Sequence, residues 1–136
     1  MRIQLGLIFM STLLLFACSK QQRTVNKLEG KWNIVDATLA GSGNADPDMI
    51  FEFERCKVNQ NDYCEFGLYD FAFDEVRKGL YSINKDDSKA EIIWSNGWDY
   101  EYQEFRLDRL NWRTLILIDD NASNGQYSRI KLRSVK

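Results

Sequence analysis

The sequence predicts an all-β fold of eight antiparallel strands, arranged either as a sandwich or as an up-and-down barrel. Short segments of alternating apolar and polar residues recur about every ten residues, and polar turns separate them. One of these turns contains Asn96-Gly97, a pair that two-residue hairpins favour. The chain has four Trp, six Tyr, eight Phe and one proline, which suits strands.

Eight segments fit the pattern of a strand, and Asp70 to Lys78 is the one stretch that looks helical. The predicted strands are residues 28–39, 49–58, 63–73, 79–84, 89–95, 98–107, 112–118 and 126–135. In the second, Phe51 and Phe53 share one face. In the sixth, the apolar phase switches near Gln103, which predicts a β-bulge there. With eight strands, a closed barrel leaves an interior wide enough for side chains or one small ligand.

The first residues have the pattern of a signal peptide. Arg2 provides a positive charge, and the apolar run 5–16 is too short to span a bilayer. The run ends in Leu15-Phe16-Ala17-Cys18, which resembles the lipobox of bacterial lipoproteins. This resemblance implies cleavage after residue 17 and lipidation of the Cys18 sulfur; the alternative is an ordinary signal peptide followed by a chance cysteine.

Three regions follow from this interpretation. Residues 1–17 are the signal peptide, residues 18–27 are the lipidated cysteine with a flexible polar tether, and residues 28–136 are the barrel domain. Two or three acyl chains on one residue anchor a protein stably, so the membrane is an expected partner through Cys18. We expect an extracytoplasmic location, on the outer membrane because Ser19 is not acidic.

The remaining cysteines, Cys56 and Cys64, form an even pair in a compartment that permits disulfides. They flank a polar segment that suits a hairpin turn. We therefore expect a disulfide that closes this hairpin. The alternative is a redox or metal pair, for which the spacing is not C-x-x-C and no further soft ligand exists.

The chain has no histidine, which removes the commonest general base and a frequent metal ligand. We therefore expect no catalytic residue, no metal, no cofactor and no enzymatic activity. Four glutamates and two aspartate pairs could in principle support other chemistry. We expect structural positions for them instead, with the glutamates on the outer face of strands and the aspartate pairs in solvated turns. They are Glu52, Glu54, Glu101, Glu104, Asp86-Asp87 and Asp119-Asp120.

The first predicted strand opens with Leu28-Glu29-Gly30-Lys31-Trp32, and its Gly-x-Trp is similar to the motif at the closed base of lipocalin barrels. Together with the lipobox, it resembles the lipocalin-like lipoproteins of Bacteroidetes-type bacteria. The resemblance covers about residues 28–133 and implies an eight-stranded antiparallel up-and-down β-barrel that binds a ligand without catalysis. It also implies that an arginine near the chain end covers Trp32, for which Arg129 and Arg133 are candidates.

Four aromatic residues around the Asn96-Gly97 turn are the candidate ligand site: Trp94, Trp98, Tyr100 and Tyr102. Such rings could hold a small apolar or amphipathic ligand at a barrel rim, or they could be cross-strand pairs that stabilise the hairpin. The alternative function is an envelope interaction protein, for example an inhibitor, with a filled barrel. The net charge of −2 and the scattered basic residues argue against a nucleic-acid partner. We expect a monomer, with any protein partner unknown.

Overall fold

The structure is a computed structural model that describes residues 20–86, 88–95 and 99–135. The predicted signal peptide, Cys18 and Trp98 lie outside these ranges. Residues 20–28 form a helix, α1. The strands are β1 (Gly30–Leu39), β2 (Gly43–Ala45), β3 (Met49–Phe53), β4 (Cys64–Asp70), β5 (Glu75–Ile83), β6 (Lys89–Ser95), β7 (Tyr100–Leu110), β8 (Thr114–Ile118) and β9 (Tyr127–Ser134).

Eight of these strands close into an antiparallel barrel, which confirms the predicted fold class. From β3 to β9, each strand pairs with the next along the chain, and β1 pairs with both β3 and β9 to close the ring. The short strand β2 pairs only with the end of β1. The two form a hairpin at the mouth, and β2 is not one of the eight strands of the ring. The up-and-down order leaves no barrel strand with an unpaired edge.

The two ends of the barrel differ in what covers them. At one end, which we call the base, lie α1, the segments 54–63 and 111–113, and residues 84–86 and 88. At the other end, the mouth, lie the segments 40–48, 71–74 and 119–126 and residue 99. These assignments follow from the antiparallel order, because each strand carries the chain from one end to the other.

The base is closed by α1 and Trp32. The side chains of Val25 and Leu28 are buried on the barrel, and Trp32 is 2% exposed. The Trp32 indole Nε1 donates a hydrogen bond to the Leu28 carbonyl at 2.7 Å, which ties the ring to the helix. Gly30 has a φ of 120°, a backbone angle that glycine adopts without steric cost, and it turns the chain from helix into strand.

Within the predicted flexible tether, residues 18–27, the described residues 20–27 are helical instead. Gln22 explains part of the difference, since its Nε2 donates to the Cys56 carbonyl at 2.8 Å and its Oε1 accepts from the Val58 amide at 3.0 Å. Polar residues therefore dock the helix on a loop distant in sequence. None of the described residues belongs to a helix long and apolar enough to cross a membrane.

Aromatic rings fill the interior next to the base. Phe51, Phe53, Phe66 and Tyr81 are buried and meet edge to face, with ring centroids 5.1–6.5 Å apart. This geometry is favourable for aromatic pairs. Because these rings fill the part of the interior next to the base, space for a ligand is to be sought in the part next to the mouth.

Tyr81 gives the barrel a dependence on alkaline pH. Burial, with the charges of Glu29 and Glu54, raises the pKa of its hydroxyl, which donates to the Glu54 carbonyl at 2.8 Å. In the unfolded chain, the Tyr81 hydroxyl ionises near the ordinary tyrosine pKa of about 10. The free energy of unfolding should therefore fall as pH rises above that value.

In urea titrations at increasing pH, Tyr81→Phe should flatten this fall in the free energy of unfolding, while it lowers that free energy by about 1 kcal/mol at neutral pH. Tyr100→Phe, which removes an exposed phenol, should keep the fall; an unchanged slope in Tyr81→Phe would contradict the assignment.

The structure contains the predicted disulfide between Cys56 and Cys64, with their Cα atoms 5.6 Å apart. It joins the segment after β3 to the first residue of β4, and both cysteines are buried. The same loop forms both hydrogen bonds with Gln22 of α1. The bond therefore constrains the part of the base on which the helix docks.

Removal of this disulfide should lower the free energy of unfolding by about 2–3 kcal/mol, because the closed loop is short. The change is the double substitution Cys56→Ala and Cys64→Ala, compared by urea denaturation with the oxidised parent. Hydrogen exchange at the Val58 amide should also accelerate, since its acceptor is on the helix. Equal midpoints for the two proteins would show that the folded loop does not depend on the bond.

Two local predictions were wrong. Residues 70–78 are not helical: Asp70 ends β4, a tight turn follows, and β5 begins at Glu75. Asp74 in that turn has a φ of 51°. The bulge predicted near Gln103 lies further along, where the β7–β8 register shifts between Leu107 and Arg109.

Candidate ligand-binding site

A cavity of about 330 Å³ lies inside the mouth of the barrel. Its lining is apolar on strand residues that face inward and polar towards the rim. The lining residues are Met49, Phe51, Leu68, Arg77, Trp94, Glu101, Gln103, Asn124, Gly125, Gln126 and Tyr127. Small-molecule sites commonly have this size and this mixture of an apolar wall with a few polar groups.

Trp94 and Glu101 form the best-defined polar contact of the cavity. They lie opposite each other on β6 and β7, and the Trp94 Nε1 donates to the Glu101 Oε2 at 2.9 Å. Trp94 is 6% exposed, so this bond satisfies an indole donor that is otherwise buried. It also fixes the ring orientation, leaving the apolar part of Trp94 as a wall of the cavity.

Gln103 is the buried polar residue of the cavity, with 3% of its surface exposed. Its Nε2 donates to the Asp119 Oδ2 at 2.9 Å and also to the Tyr127 carbonyl. These bonds use both amide hydrogens, so the amide oxygen is the atom of this side chain that is left to accept a hydrogen bond.

The loop 119–126 covers part of the mouth and is held to Ala40, the residue that follows β1. The Ala40 amide donates to the Gln126 carbonyl at 2.9 Å, and the Gly125 amide donates to the Ala40 carbonyl at 3.1 Å. Gly41 is required beside this loop, because it has a φ of 81° and a Cβ there would lie 2.7 Å from the Asn124 Oδ1. The loop is thus a fixed wall of the site.

Negative charge dominates the mouth. Every charged residue in the described connecting segments of the mouth is an aspartate: Asp46, Asp48, Asp74, Asp99, Asp119 and Asp120. The cation that lines the cavity is Arg77, and its guanidinium pairs with Glu75 at 3.1 Å. Burial and the nearby charge of Asp70 raise the pKa of Tyr127. The field at the entrance therefore favours neutral or cationic groups over anionic ones.

Of the four aromatic residues predicted as a site, the three that the structure describes do not share one face of the barrel wall. Trp94 lines the cavity, whereas Tyr100 and Tyr102 lie on the outer face and are 70% and 52% exposed. Trp98 lies outside the described residues. Gly30 and Trp32 are at the base, as the motif implied, but α1 covers the tryptophan, while Arg129 pairs with Asp36 on the exterior at 3.2 Å.

The sequence reasoning missed Arg77, Glu101 and Gln103. Glu101 was expected on the outer face, yet its strand position pairs with inward-facing Trp94. Arg77 pairs with buried Leu68 and was assigned to a helix. Gln103 could have been found from the sequence. It lies two positions before apolar Phe105, and because side chains alternate between the two faces of a strand, both residues are expected to point into the barrel.

The larger grooves of the molecule are on its outside. One, of about 450 Å³, runs over β7 and the loop 119–126, and four of its five charged side chains already form ion pairs. Lys89 contacts Glu104 at 3.1 Å, and Arg106 contacts Asp120 at 3.4 Å. A ligand there would have to break these pairs, so the smaller mouth cavity is the better candidate.

A second outer feature is a carboxyl pair near the base. A hydrogen bond with Glu65, together with partial burial and the charges of Glu65 and Glu52, raises the pKa of Glu54. Among the residues described, no group of three or more acidic or cysteine side chains is placed to hold a metal ion.

No protein-family model matches this sequence, and no curated protein is similar to it.

Proposed function

We propose that this chain is a lipid-anchored, extracytoplasmic binding protein that holds a small apolar or amphipathic molecule in the mouth of its barrel. The observation that carries this proposal is the mouth cavity of about 330 Å³, with Trp94 on its wall and Gln103 as its buried polar residue. The resemblance to lipocalin-like lipoproteins is consistent with it, and so is binding without catalysis in a chain that lacks histidine.

The anchoring half of the proposal rests on Leu15-Phe16-Ala17-Cys18 and on the disulfide. Disulfides persist outside the reducing cytoplasm, so the bonded Cys56–Cys64 pair is consistent with an extracytoplasmic location. Expressed in a bacterium with the lipoprotein pathway, the full chain should incorporate labelled palmitate and fractionate with membranes. Cys18→Ala should lose both properties.

The shape of the cavity indicates how an occupant would lie. The apolar residues Phe51 and Leu68 are buried at 1% and 4% exposure, while Arg77 and Glu101 are closer to solvent. An amphipathic molecule would therefore place its apolar part inward and its polar part at the rim. Because Arg77 is paired with Glu75 and the loops are acidic, a strongly anionic head group is the least suited.

The proposal is tested with N-phenyl-1-naphthylamine, a neutral apolar probe whose fluorescence rises in apolar sites. The purified protein should bind it with a micromolar Kd, and Met49→Trp, which narrows the entrance, should weaken binding at least tenfold. Tyr102→Trp adds the same ring to the outer face and should leave binding unchanged. Native mass spectrometry followed by organic extraction should identify any natural occupant. Equal binding by both variants would place the probe elsewhere and remove the basis of the proposal.

An interaction protein is the second candidate, supported by an apolar patch on the outer face of β5–β7. Leu80, Ile93 and Tyr100 line an open depression there of about 420 Å³, with Lys78 and Gly79 at its edge. Tyr100 is 70% exposed and Leu80 is 40% exposed. Such surfaces are common where proteins bind one another. Loss of a co-purifying protein in Tyr100→Ser, with probe binding intact, would favour this function.

A further inference from the structure

The base of the barrel has a charge opposite to that of the mouth. On α1, Lys20, Arg23 and Lys27 are exposed, and their spacing of three and four residues places them on one face, away from buried Val25 and Leu28. The disulfide loop adds exposed Arg55 and Lys57. Carboxylates are also present at this end, but among the described residues cations outnumber them, whereas the described segments of the mouth contain no cation.

Trp112 stands at the same end of the barrel. It lies in the β7–β8 turn and is 70% exposed, although tryptophan is a residue that folding usually buries. Beside it, Arg113 and Arg133 are brought together because the Ser134 amide donates to the Arg113 carbonyl at 2.9 Å. These three residues line an open depression of about 490 Å³ with Thr114 and Ser134.

We infer that the base rests on an anionic lipid surface, with Trp112 in the interfacial layer and the basic residues facing the head groups. Tryptophan is enriched at membrane interfaces, where its ring is apolar and its N–H remains hydrated. Lysine and arginine near an anionic leaflet are attracted to it over about one Debye length, roughly 8–10 Å. The combination of an exposed tryptophan and adjacent arginines matches that surface.

The chain length between anchor and helix supports the same occupant. This step rests on the proposed lipidation of Cys18. The described helix begins at Lys20, and two extended residues reach about 7 Å at most. A lipidated Cys18 would therefore hold the base within about one Debye length of the head groups. The aspartates of the mouth are repelled by the same surface, so both ends favour one orientation, in which the mouth opens away from the membrane.

The test uses the lipidated full protein in vesicles of phosphatidylcholine alone or with phosphatidylglycerol, both containing brominated acyl chains that quench nearby tryptophan. With phosphatidylglycerol, Trp112 fluorescence should fall at least twofold, and Trp112→Phe should remove this quenching. Arg113→Glu combined with Arg133→Glu should weaken it, as should 1 M salt. The matched control is Tyr100→Trp in the Trp112→Phe background, which moves the reporter to an equally exposed position near the mouth and should remain unquenched.

Flotation of the same samples separates the inference from the anchor. Protein that floats with both vesicle types while Trp112 stays unquenched, or while the tryptophan introduced in the control is quenched equally, overturns the orientation and leaves the anchor intact. Protein that fails to float with neutral vesicles overturns the anchor. In that case, Trp112 quenching on phosphatidylglycerol vesicles would still support contact through the base, and its absence would overturn that contact as well.

Discussion

Gly79→Ala is expected to lower the free energy of unfolding by about 3 kcal/mol or more, an effect at the upper end for a single methyl group. A Cβ at Gly79 would lie 1.9 Å from the Ile93 carbonyl oxygen and 2.9 Å from the Trp94 Cα. Both are backbone atoms of the neighbouring strand β6, so no side-chain rotation can relieve the clash. The β5–β6 pairing itself would have to separate.

Gly67→Ala is the matched control for this substitution. Gly67 is also in a barrel strand, but a Cβ there would have its nearest contact at 3.8 Å, to the Glu52 Cβ. We expect a change within about 0.5 kcal/mol for this variant, because removing a flexible glycine offsets small losses elsewhere. Urea denaturation of both variants measures the difference. Similar midpoints would mean that β5 and β6 are not as close as the structure places them.

The consequence of Gly79→Ala extends to the candidate site. Gly79 lies directly opposite Trp94, and Trp94 forms a wall of the mouth cavity. Displacement of β6 would move this ring relative to Glu101. Binding of N-phenyl-1-naphthylamine should therefore weaken under conditions in which the variant remains folded, whereas Gly67→Ala should bind normally.

The strands could be predicted from the sequence because successive side chains of a barrel strand alternate between the apolar interior and the solvent. β3, with Phe51 and Phe53 inward and Glu52 outward, is the clearest example. Periodicity failed where a feature depends on partners distant in sequence. The helix α1 is polar by composition, yet Gln22 is held by the Cys56 carbonyl, which no local pattern reveals.

The residues 70–78 show a second reason for failure. Their charges and length suited a helical turn, but Arg77 and Glu75 are inward or rim positions of a strand whose partner residues decide its register. The prediction of the candidate site was incomplete for the same reason, because strand pairing is not visible in the sequence. Trp94 was found because it is aromatic, whereas Glu101 has the appearance of an ordinary outer-face glutamate until its pairing with Trp94 is known.

Trp32→Ala is the second substitution with a large expected effect, a loss of about 3–5 kcal/mol in the free energy of unfolding. The ring is 2% exposed beneath α1, and its Nε1 donates to the Leu28 carbonyl, so the substitution removes both core volume and the link between helix and barrel. Trp32→Phe keeps most of the volume and loses only the hydrogen bond, for which we expect about 1–2 kcal/mol.

The two variants should also differ in the helix itself. Hydrogen exchange at the Glu29 amide, which donates to the Val25 carbonyl at 3.0 Å, reports whether α1 stays on the base. Protection should fall strongly in Trp32→Ala and modestly in Trp32→Phe. If both lose the same stability, the hydrogen bond rather than the ring closes the base. If neither loses protection, α1 is held by Val25, Leu28 and the Gln22 contacts alone, and the Gly-x-Trp motif serves the strand rather than the helix.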